Sequence, residues 1–132
     1  MPNSKRILVV DDEPDVTFYL KTFFESKGIG VRTAASGEEG LRLILSEEFS
    51  LVLLDMRMGD GLSGLEVIRR SVKAGRKTPI IVVTAVDDRN VADMALGLGA
   101  ADYLTKPFIL EELQHIVLAR LEKGSSALPL QE

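Results

Sequence analysis

Five residues that can take part in phosphate chemistry each follow a short apolar run in this sequence. They are three carboxylates, one hydroxyl and one amine: Asp11, Asp12, Asp55, Thr84 and Lys106. Carboxylates at contact distance repel each other, so such a cluster usually binds a hard cation or keeps one member protonated. Mg2+ prefers oxygen ligands and is typically held by one or two carboxylates together with a phosphate group. These residue types therefore predict Mg2+-dependent phosphoryl transfer, in which Lys106 and Thr84 contact the phosphoryl oxygens.

The apolar runs predict the strands that bring these residues together. ILVV, LVLL and IIVV are apolar at every position, which is typical of parallel strands covered by helices on both faces. The predicted strands alternate with stretches of helical periodicity and cover residues 6–10, 30–34, 51–54, 79–83 and 101–104. This pattern predicts an α/β fold with a doubly wound five-stranded parallel sheet, in the flavodoxin-like order 2-1-3-4-5, with helices on both faces. The carboxyl ends of the strands would then gather the polar residues at one edge of the sheet.

Local signals mark the ends of the helices. Pro14 suits the first position of the first helix, because its φ is fixed and its missing N–H is not needed there. Gly28 is expected to end that helix, and Ser36 and Ser63 are expected to cap the second and third helices. The last helix is predicted over residues 110–123.

The fourth predicted helix, residues 88–98, is rich in Ala and Gly. We expect it to bury little beyond Val91, Met94 and Leu98. It is therefore predicted to be the least anchored helix and a candidate moving part.

Composition limits the domain organisation and the function. A chain of 132 residues has room for one domain, which we predict over residues 1–123, followed by a tail or the start of a linker over 124–132. The formal charge of −4 and the pI near 5.1 argue against direct nucleic-acid binding. The absence of cysteine excludes thiolate chemistry. Every apolar run is far shorter than the ~18 residues needed to span a bilayer, so we expect no membrane segment and a cytoplasmic location.

Four motifs in a fixed order carry a family resemblance. They are VVDDEP at 9–14, LLDMRM at 53–58, VVTA at 82–85 and YLTKPF at 103–108. Each motif alone is weak, but the ordered set closely resembles the receiver domain of bacterial two-component response regulators, over residues 5–123. The resemblance implies that a partner histidine kinase or phosphotransfer protein phosphorylates Asp55. It also implies a Mg2+ site, in which Asp12, Asp55 and the backbone carbonyl of Arg57 bind the ion directly and Asp11 acts through a bound water.

The same resemblance implies a switch. Thr84 and Lys106 would contact the phosphoryl group, and Tyr103 matches the aromatic residue whose ring turns inward when Thr84 moves toward the phosphate. The face formed by the fourth helix, fifth strand and fifth helix would then change and control an output domain or effector protein. A phosphorylation-dependent homodimer is a further option. Such a domain is not an enzyme acting on a separate substrate, because it catalyses only its own phosphorylation and slow dephosphorylation.

Two departures from the family pattern affect the site. Gly59 occupies the usual proline position four residues after Asp55, and Gly64 stands nine residues after it instead of eight. We therefore expect the loop over residues 58–64 to be one residue longer and looser than usual.

The family positions that tune phosphoryl lifetime fall on Arg57 and Val86. Val86 cannot hydrogen-bond a hydrolytic water, so slow dephosphorylation is predicted.

Three other classes of protein were weighed against this interpretation. A phosphohydrolase of the haloacid dehalogenase type would need an Asp two residues after Asp55, where this chain has Arg57. A flavodoxin-like cofactor binder would need a Ser/Thr/Gly-rich loop after the first strand, where this chain has DDEPD. A phosphorylation-independent interaction module stays open as an alternative.

His115, the only histidine, is predicted to face solvent on the last helix, so the phosphoryl group would come from a separate kinase or a small donor.

Overall fold

The computed structural model describes residues 5–59, 61–85 and 88–126. Its strands are β1 (Arg6–Val10), β2 (Gly30–Ala34), β3 (Leu51–Asp55), β4 (Ile80–Ala85) and β5 (Asp102–Lys106). Its helices are α1 (Pro14–Glu25), α2 (Gly37–Ser46), α3 (Gly64–Lys73), α4 (Arg89–Leu98) and α5 (Leu110–Ser126). In the described part of the chain, no helix is long and apolar enough to cross a membrane.

The strands form one parallel sheet in the order β2-β1-β3-β4-β5. This order confirms the predicted fold class. The fully apolar runs form β1, β3 and β4, the three inner strands, where both faces must be covered. The reversal of strand order between β1 and β3 opens a crevice at their carboxyl ends.

The core consists of two layers, one on each face of the sheet. Leu8 and Leu54 point to the layer that α2, α3 and α4 cover, while Val9 and Leu53 point to the layer under α1 and α5. Successive strand residues face opposite sides, so all positions of β1 from Ile7 onward and all positions of β3 are buried. Burying one such side chain stabilises the fold by about 1.5 to 3 kcal/mol, which makes the inner strands a rigid support for the residues at their ends.

Strands β3, β4 and β5 extend further than predicted. Asp55 pairs with Val83, and Ala85 pairs with Lys106, so Asp55 and Lys106 are strand residues and not loop residues. The predicted strands end at residues 54, 83 and 104, just before Asp55, Thr84 and Thr105. Parallel hydrogen bonding involves only the backbone, however, and it continues past that point. The functional side chains are therefore fixed to the sheet itself.

The starts of α1, α2 and α3 and the end of α1 agree with the predicted signals. Pro14 is the first residue of α1, and the hydroxyls of Ser36 and Ser63 accept hydrogen bonds from backbone N–H groups three residues later, at 3.1 and 3.2 Å. The regular part of α1 ends at Glu25, and Gly28, with φ of +84°, closes its last turn. The Gly28 N–H donates to the Glu25 carbonyl at 3.0 Å and the Ile29 N–H donates to the Phe24 carbonyl at 3.1 Å, which is the pattern of a glycine that terminates a helix.

The predicted buried face of α4 is wrong in one position. Met94 is 50% exposed, and the fully buried residues are Ala92 and Ala95, while Val91 and Leu98 are half-buried. Alanine suits these positions where a helix lies close to its neighbours, because it leaves no long side chain between them. Since α4 fully buries only two small side chains, its predicted weak anchoring stays a reasonable expectation.

The end of α5 also differs from the prediction. The helix continues to Ser126, three residues past the predicted end at residue 123. Residues 124–126 are thus helical, and residues 127–132 lie outside the described part of the chain. The division into a domain over residues 1–123 and a tail or linker start over 124–132 stays a prediction.

Candidate functional site

Three carboxylates meet at the carboxyl ends of β1 and β3. One oxygen from each of Asp11, Asp12 and Asp55 lies within 4.8 Å of the other two. Asp11 and Asp55 are buried, and Asp12 is exposed. The two strands are neighbours in the sheet, so residues 44 positions apart become adjacent. The predicted convergence of these carboxylates is confirmed.

Backbone N–H groups hold each carboxylate in place. The donor and acceptor pairs are Glu13 with Asp11 at 2.9 Å, Arg57 with Asp55 at 3.0 Å, and Gly59 with Asp12 at 3.1 Å. Hydrogen bonds to a charged acceptor are about twice as strong as neutral ones, so each side chain is oriented. In each pair only one carboxylate oxygen accepts this bond, and the second oxygens of Asp11 and Asp55 face Lys106.

Lys106 places one cation beside these acids. Its Nζ lies 3.2 Å from Asp55 Oδ2, 3.7 Å from Asp11 Oδ2 and 4.0 Å from Glu13 Oε1. Burial lowers the pKa of Lys106, but attraction to Asp55 and Asp11 outweighs that effect and raises its pKa above the ordinary value. The amine therefore stays charged at neutral pH. The approach of Glu13 was not predicted, although its place in the acidic run after β1 was a signal.

The cluster carries more negative charge than Lys106 balances. The pKa of Asp11 is raised from 3.8 to about 6. Burial is the largest cause and the nearby Asp55 carboxylate adds to it, while the Glu13 backbone N–H and Lys106 act in the opposite direction. A buried carboxylate beside another anion is costly in its charged form. A further cation bound beside Asp11 would lower this cost, so the arrangement indicates a cation-binding site.

We expect Asp11→Asn to stabilise the protein in a metal-free buffer at pH 8. The folded state holds the Asp11 proton more tightly than the unfolded chain does, so ionisation of Asp11 costs stability above about pH 6 and nothing below about pH 4. Asn keeps the acceptor for Glu13 and removes that cost, about 2 to 3 kcal/mol. Urea unfolding at pH 8 and pH 4 measures the difference. A less stable variant at pH 8 would contradict the account, and saturating Mg2+ should reduce the advantage of the variant.

Thr84 and Tyr103 lie on the neighbouring strands β4 and β5. Thr84 is 1% exposed, and among the described residues its hydroxyl has no hydrogen-bond partner. Burying an unpaired hydroxyl costs about 1 to 3 kcal/mol, so an acceptor that reached the Thr84 hydroxyl would stabilise the protein. Tyr103 pairs with Val82 and packs, half-buried, against the core layer under α4.

An ion pair that the sequence did not predict joins the loop after β3 to the start of α4. The Arg57 guanidinium donates to Asp88 Oδ2 from Nη2 at 3.0 Å and from Nε at 3.3 Å. Asp88 precedes α4 and makes no side-chain cap for it. Charges 31 residues apart in loops give no periodic signal, so only the fold could reveal this pair. The predicted role of Val86 falls on a residue outside the described part of the chain.

The donor set suits a hard divalent cation such as Mg2+. Carboxylate oxygens are the ligands Mg2+ prefers, and the chain contains no cysteine and a single, exposed histidine. The cluster opens into a cleft of about 460 Å3 that could admit a phosphoryl group, lined by Asp12, Glu13, Pro14, Asp55, Arg57, Ala85 and Lys106. An ion there would relieve the unbalanced charge around Asp11. The residues present therefore fit the metal.

Known proteins of one family match this chain. A family model of the response regulator receiver domain matches residues 7–118. The uncharacterized transcriptional regulatory protein YkoG of Bacillus subtilis is 41% identical over 120 residues, which cover 91% of this chain and 52% of the relative. The alkaline phosphatase synthesis transcriptional regulatory protein PhoP of the same organism is 37% identical over 129 residues, which cover 98% of this chain and 53% of the relative. The chain thus spans about half the length of these relatives.

Solved receiver domains share the fold. A CheY-like receiver domain protein from Methanospirillum hungatei JF-1 gives a TM-score of 0.86 at 30% identity, covering 93% of this chain and 98% of that one. The receiver domain of the Francisella response regulator 1452 gives 0.84 at 32% identity, covering 91% and 98%. The sequence match and the shared fold lead to one conclusion: the chain belongs to the response regulator receiver domain family, the regulatory phosphoacceptor domains of two-component systems.

Proposed function

We propose that Asp55 accepts a phosphoryl group from a partner histidine kinase or phosphotransfer protein in a Mg2+-dependent reaction. The observation that carries this proposal is the position of the Asp55 carboxylate. It lies on the cleft, within 4.8 Å of two further carboxylates and 3.2 Å from Lys106 Nζ. Receiver domains generally bind Mg2+ at an acidic pocket, which agrees with the donor set here.

The chain supplies the parts of an in-line displacement. An Asp55 carboxylate oxygen attacks the phosphorus, the new O–P bond forms, and the N–P bond of the phosphohistidine breaks, returning the imidazole to the donor. Lys106 stabilises negative charge on the transferred oxygens. Asp12, Asp55 and the backbone carbonyl of Arg57 would hold Mg2+ directly, with Asp11 acting through a water. When bound, Mg2+ neutralises charge so that an anionic phosphoryl group can approach a carboxylate.

The proposed response starts at the unpaired hydroxyl of Thr84. A phosphoryl oxygen on Asp55 would give that hydroxyl the acceptor it lacks among the described residues. Movement of Thr84 would open space beside β5 and let Tyr103 turn inward. The face formed by α4, β5 and α5 would then shift between two packings. The small buried surface of α4 favours such a shift.

The output of this domain is proposed from its relatives. YkoG and PhoP are named transcriptional regulatory proteins and are about twice as long as the matched segment. We propose that this domain controls an output domain or effector, in a cytoplasmic pathway, with phosphorylation-dependent pairing of two copies as one route. Direct nucleic-acid contact by this domain is not expected, because its formal charge is −4.

Incubation with acetyl phosphate, with and without Mg2+, tests the proposal. The expected result is a gain in intact mass of one phosphoryl group per chain, only when Mg2+ is present. Release of free phosphate at many turnovers without a stable adduct would support a hydrolase instead. No mass gain under any condition would support an interaction module that works without phosphorylation.

We expect Val86→Glu to shorten the lifetime of the phosphorylated state by about tenfold or more, because a carboxylate can hydrogen-bond the hydrolytic water and act as a base. Decay of the phosphorylated mass after removal of the donor measures the lifetime. Val86→Leu is the matched control and should decay like the original chain. An unchanged lifetime in Val86→Glu would refute this role for the position.

A further inference from the structure

The loop between β3 and α3 holds two groups of the proposed Mg2+ site. The carbonyl of Arg57 is a proposed ligand, and the N–H of Gly59 donates to Asp12 Oδ2 at 3.1 Å. A donor on one oxygen of Asp12 orients the carboxylate and leaves the other oxygen for a cation. Hydrogen bonds to metal ligands are known to tune affinity in this way. The position of this loop therefore sets the geometry of the site.

Glu38 of helix α2 contacts the same loop near its end, just before α3. The Leu62 N–H donates to Glu38 Oε2 at 2.9 Å. Gly61 has φ of +111°, and a Cβ there would come within 2.7 Å of the Glu38 carboxylate. A Cβ on Gly37 would overlap the carbonyl oxygen of Leu62. The loop and the start of α2 thus fit together at a distance that only glycine permits at both positions.

The described residues of this loop are also held by packing against the hydrophobic core. The side chains of Met56, Met58 and Leu62 pack, half-buried, against the core layer under α2 and α3. Gly64 lies directly under the Met56 side chain, since a Cβ at Gly64 would collide with it. The described residues of the loop are thus held by core packing and by the hydrogen bond from Leu62 to Glu38.

We propose that Glu38 is a positioning residue for Mg2+ binding: by accepting the Leu62 N–H it fixes the loop that aims Asp12 and the Arg57 carbonyl. This inference rests on the proposed function, because it concerns the same metal site. Glu38 itself is exposed and contacts none of the three clustered carboxylates. A role limited to surface charge would leave Mg2+ affinity unchanged when Glu38 is replaced.

Calorimetric titration with MgCl2 tests the proposal on four proteins: the original chain, Glu38→Ala, Glu38→Gln and Glu39→Ala. Loss of the acceptor in Glu38→Ala should weaken Mg2+ binding by about three- to tenfold. Glu38→Gln keeps an acceptor oxygen and should stay within about twofold of the original. Glu39 accepts the Ala35 N–H at 3.0 Å at the same helix start but does not touch the loop, so Glu39→Ala should also stay within about twofold.

A second readout separates positioning from damage to the fold. The rate of phosphorylation by acetyl phosphate should fall in Glu38→Ala at low Mg2+ and return to the original value at saturating Mg2+, while the backbone amide resonance of Gly59 moves in the metal-free protein. Equal Mg2+ affinity in Glu38→Ala and the original chain would overturn the role of Glu38 alone. Equal weakening in Glu39→Ala would assign the effect to α2 stability and also overturn it. An original chain that binds no Mg2+ would instead overturn the proposed function.

Discussion

Asp55→Asn is expected to lose all measurable phosphorylation, a decrease of at least about a thousandfold in rate. The amide is not a nucleophile at phosphorus and has lost the charge that holds a cation. Its oxygen can still accept the Arg57 N–H that Asp55 accepts at 3.0 Å, so the local backbone should be retained. Intact mass after incubation with acetyl phosphate and Mg2+ measures the result.

Asp93→Asn is the matched control for this change. Asp93 is exposed on α4 and is not part of the acidic cluster, so the variant should be phosphorylated like the original chain. Thermal unfolding of both variants should stay cooperative. A full mass gain in Asp55→Asn would show that another residue is the acceptor.

Lys106→Met is expected to change two properties in opposite directions. Removing the cation that stabilises the transferred oxygens should slow phosphorylation by about 10- to 100-fold. The same change should strengthen Mg2+ binding by about threefold at pH 8, because Lys106 no longer neutralises Asp55 and Asp11 at 3.2 and 3.7 Å. Met has a similar apolar stem, so packing is largely kept. Calorimetry with MgCl2 and initial rates with acetyl phosphate measure the two effects.

The opposite signs make this prediction specific. A general loss of structure would weaken both Mg2+ binding and phosphorylation. Lys21→Met, which removes an amine paired with Glu25 on the surface of α1, should leave both properties unchanged. Weaker Mg2+ binding in Lys106→Met would show that the amine supports the metal site instead of competing with the ion.

The sheet could be predicted from the sequence because strands that are buried on both faces have recognisable apolar runs. The runs that form β1, β3 and β4 are apolar at every position, and only strands covered on both faces require this. Once β1 and β3 are adjacent, the positions of Asp11 and Asp55 at one edge follow from the parallel topology, and the parallel strand β5 brings Lys106 to the same edge. The observed strands run past their first carboxyl-end polar residues, because parallel pairing uses only the backbone and polarity does not end it.

Contacts between loops could not be predicted in the same way. The Arg57–Asp88 ion pair and the hydrogen bond from Leu62 to Glu38 lie at the surface and join residues 31 and 24 positions apart. Neither pair repeats with a helical or strand period, so the sequence carries no pattern for them. Met94 was misplaced for a related reason: apolar spacing alone does not show that α4 turns its alanines inward.

The central claim is that Asp55 carries the phosphoryl group in the presence of Mg2+. An acyl phosphate is reduced by borohydride to an alcohol, so an aspartyl phosphate becomes homoserine at the modified position. Peptide mapping after phosphorylation and reduction should find homoserine at position 55, and only in samples that contained Mg2+. Homoserine at another position, or equal modification of Asp55 without Mg2+, would contradict the account.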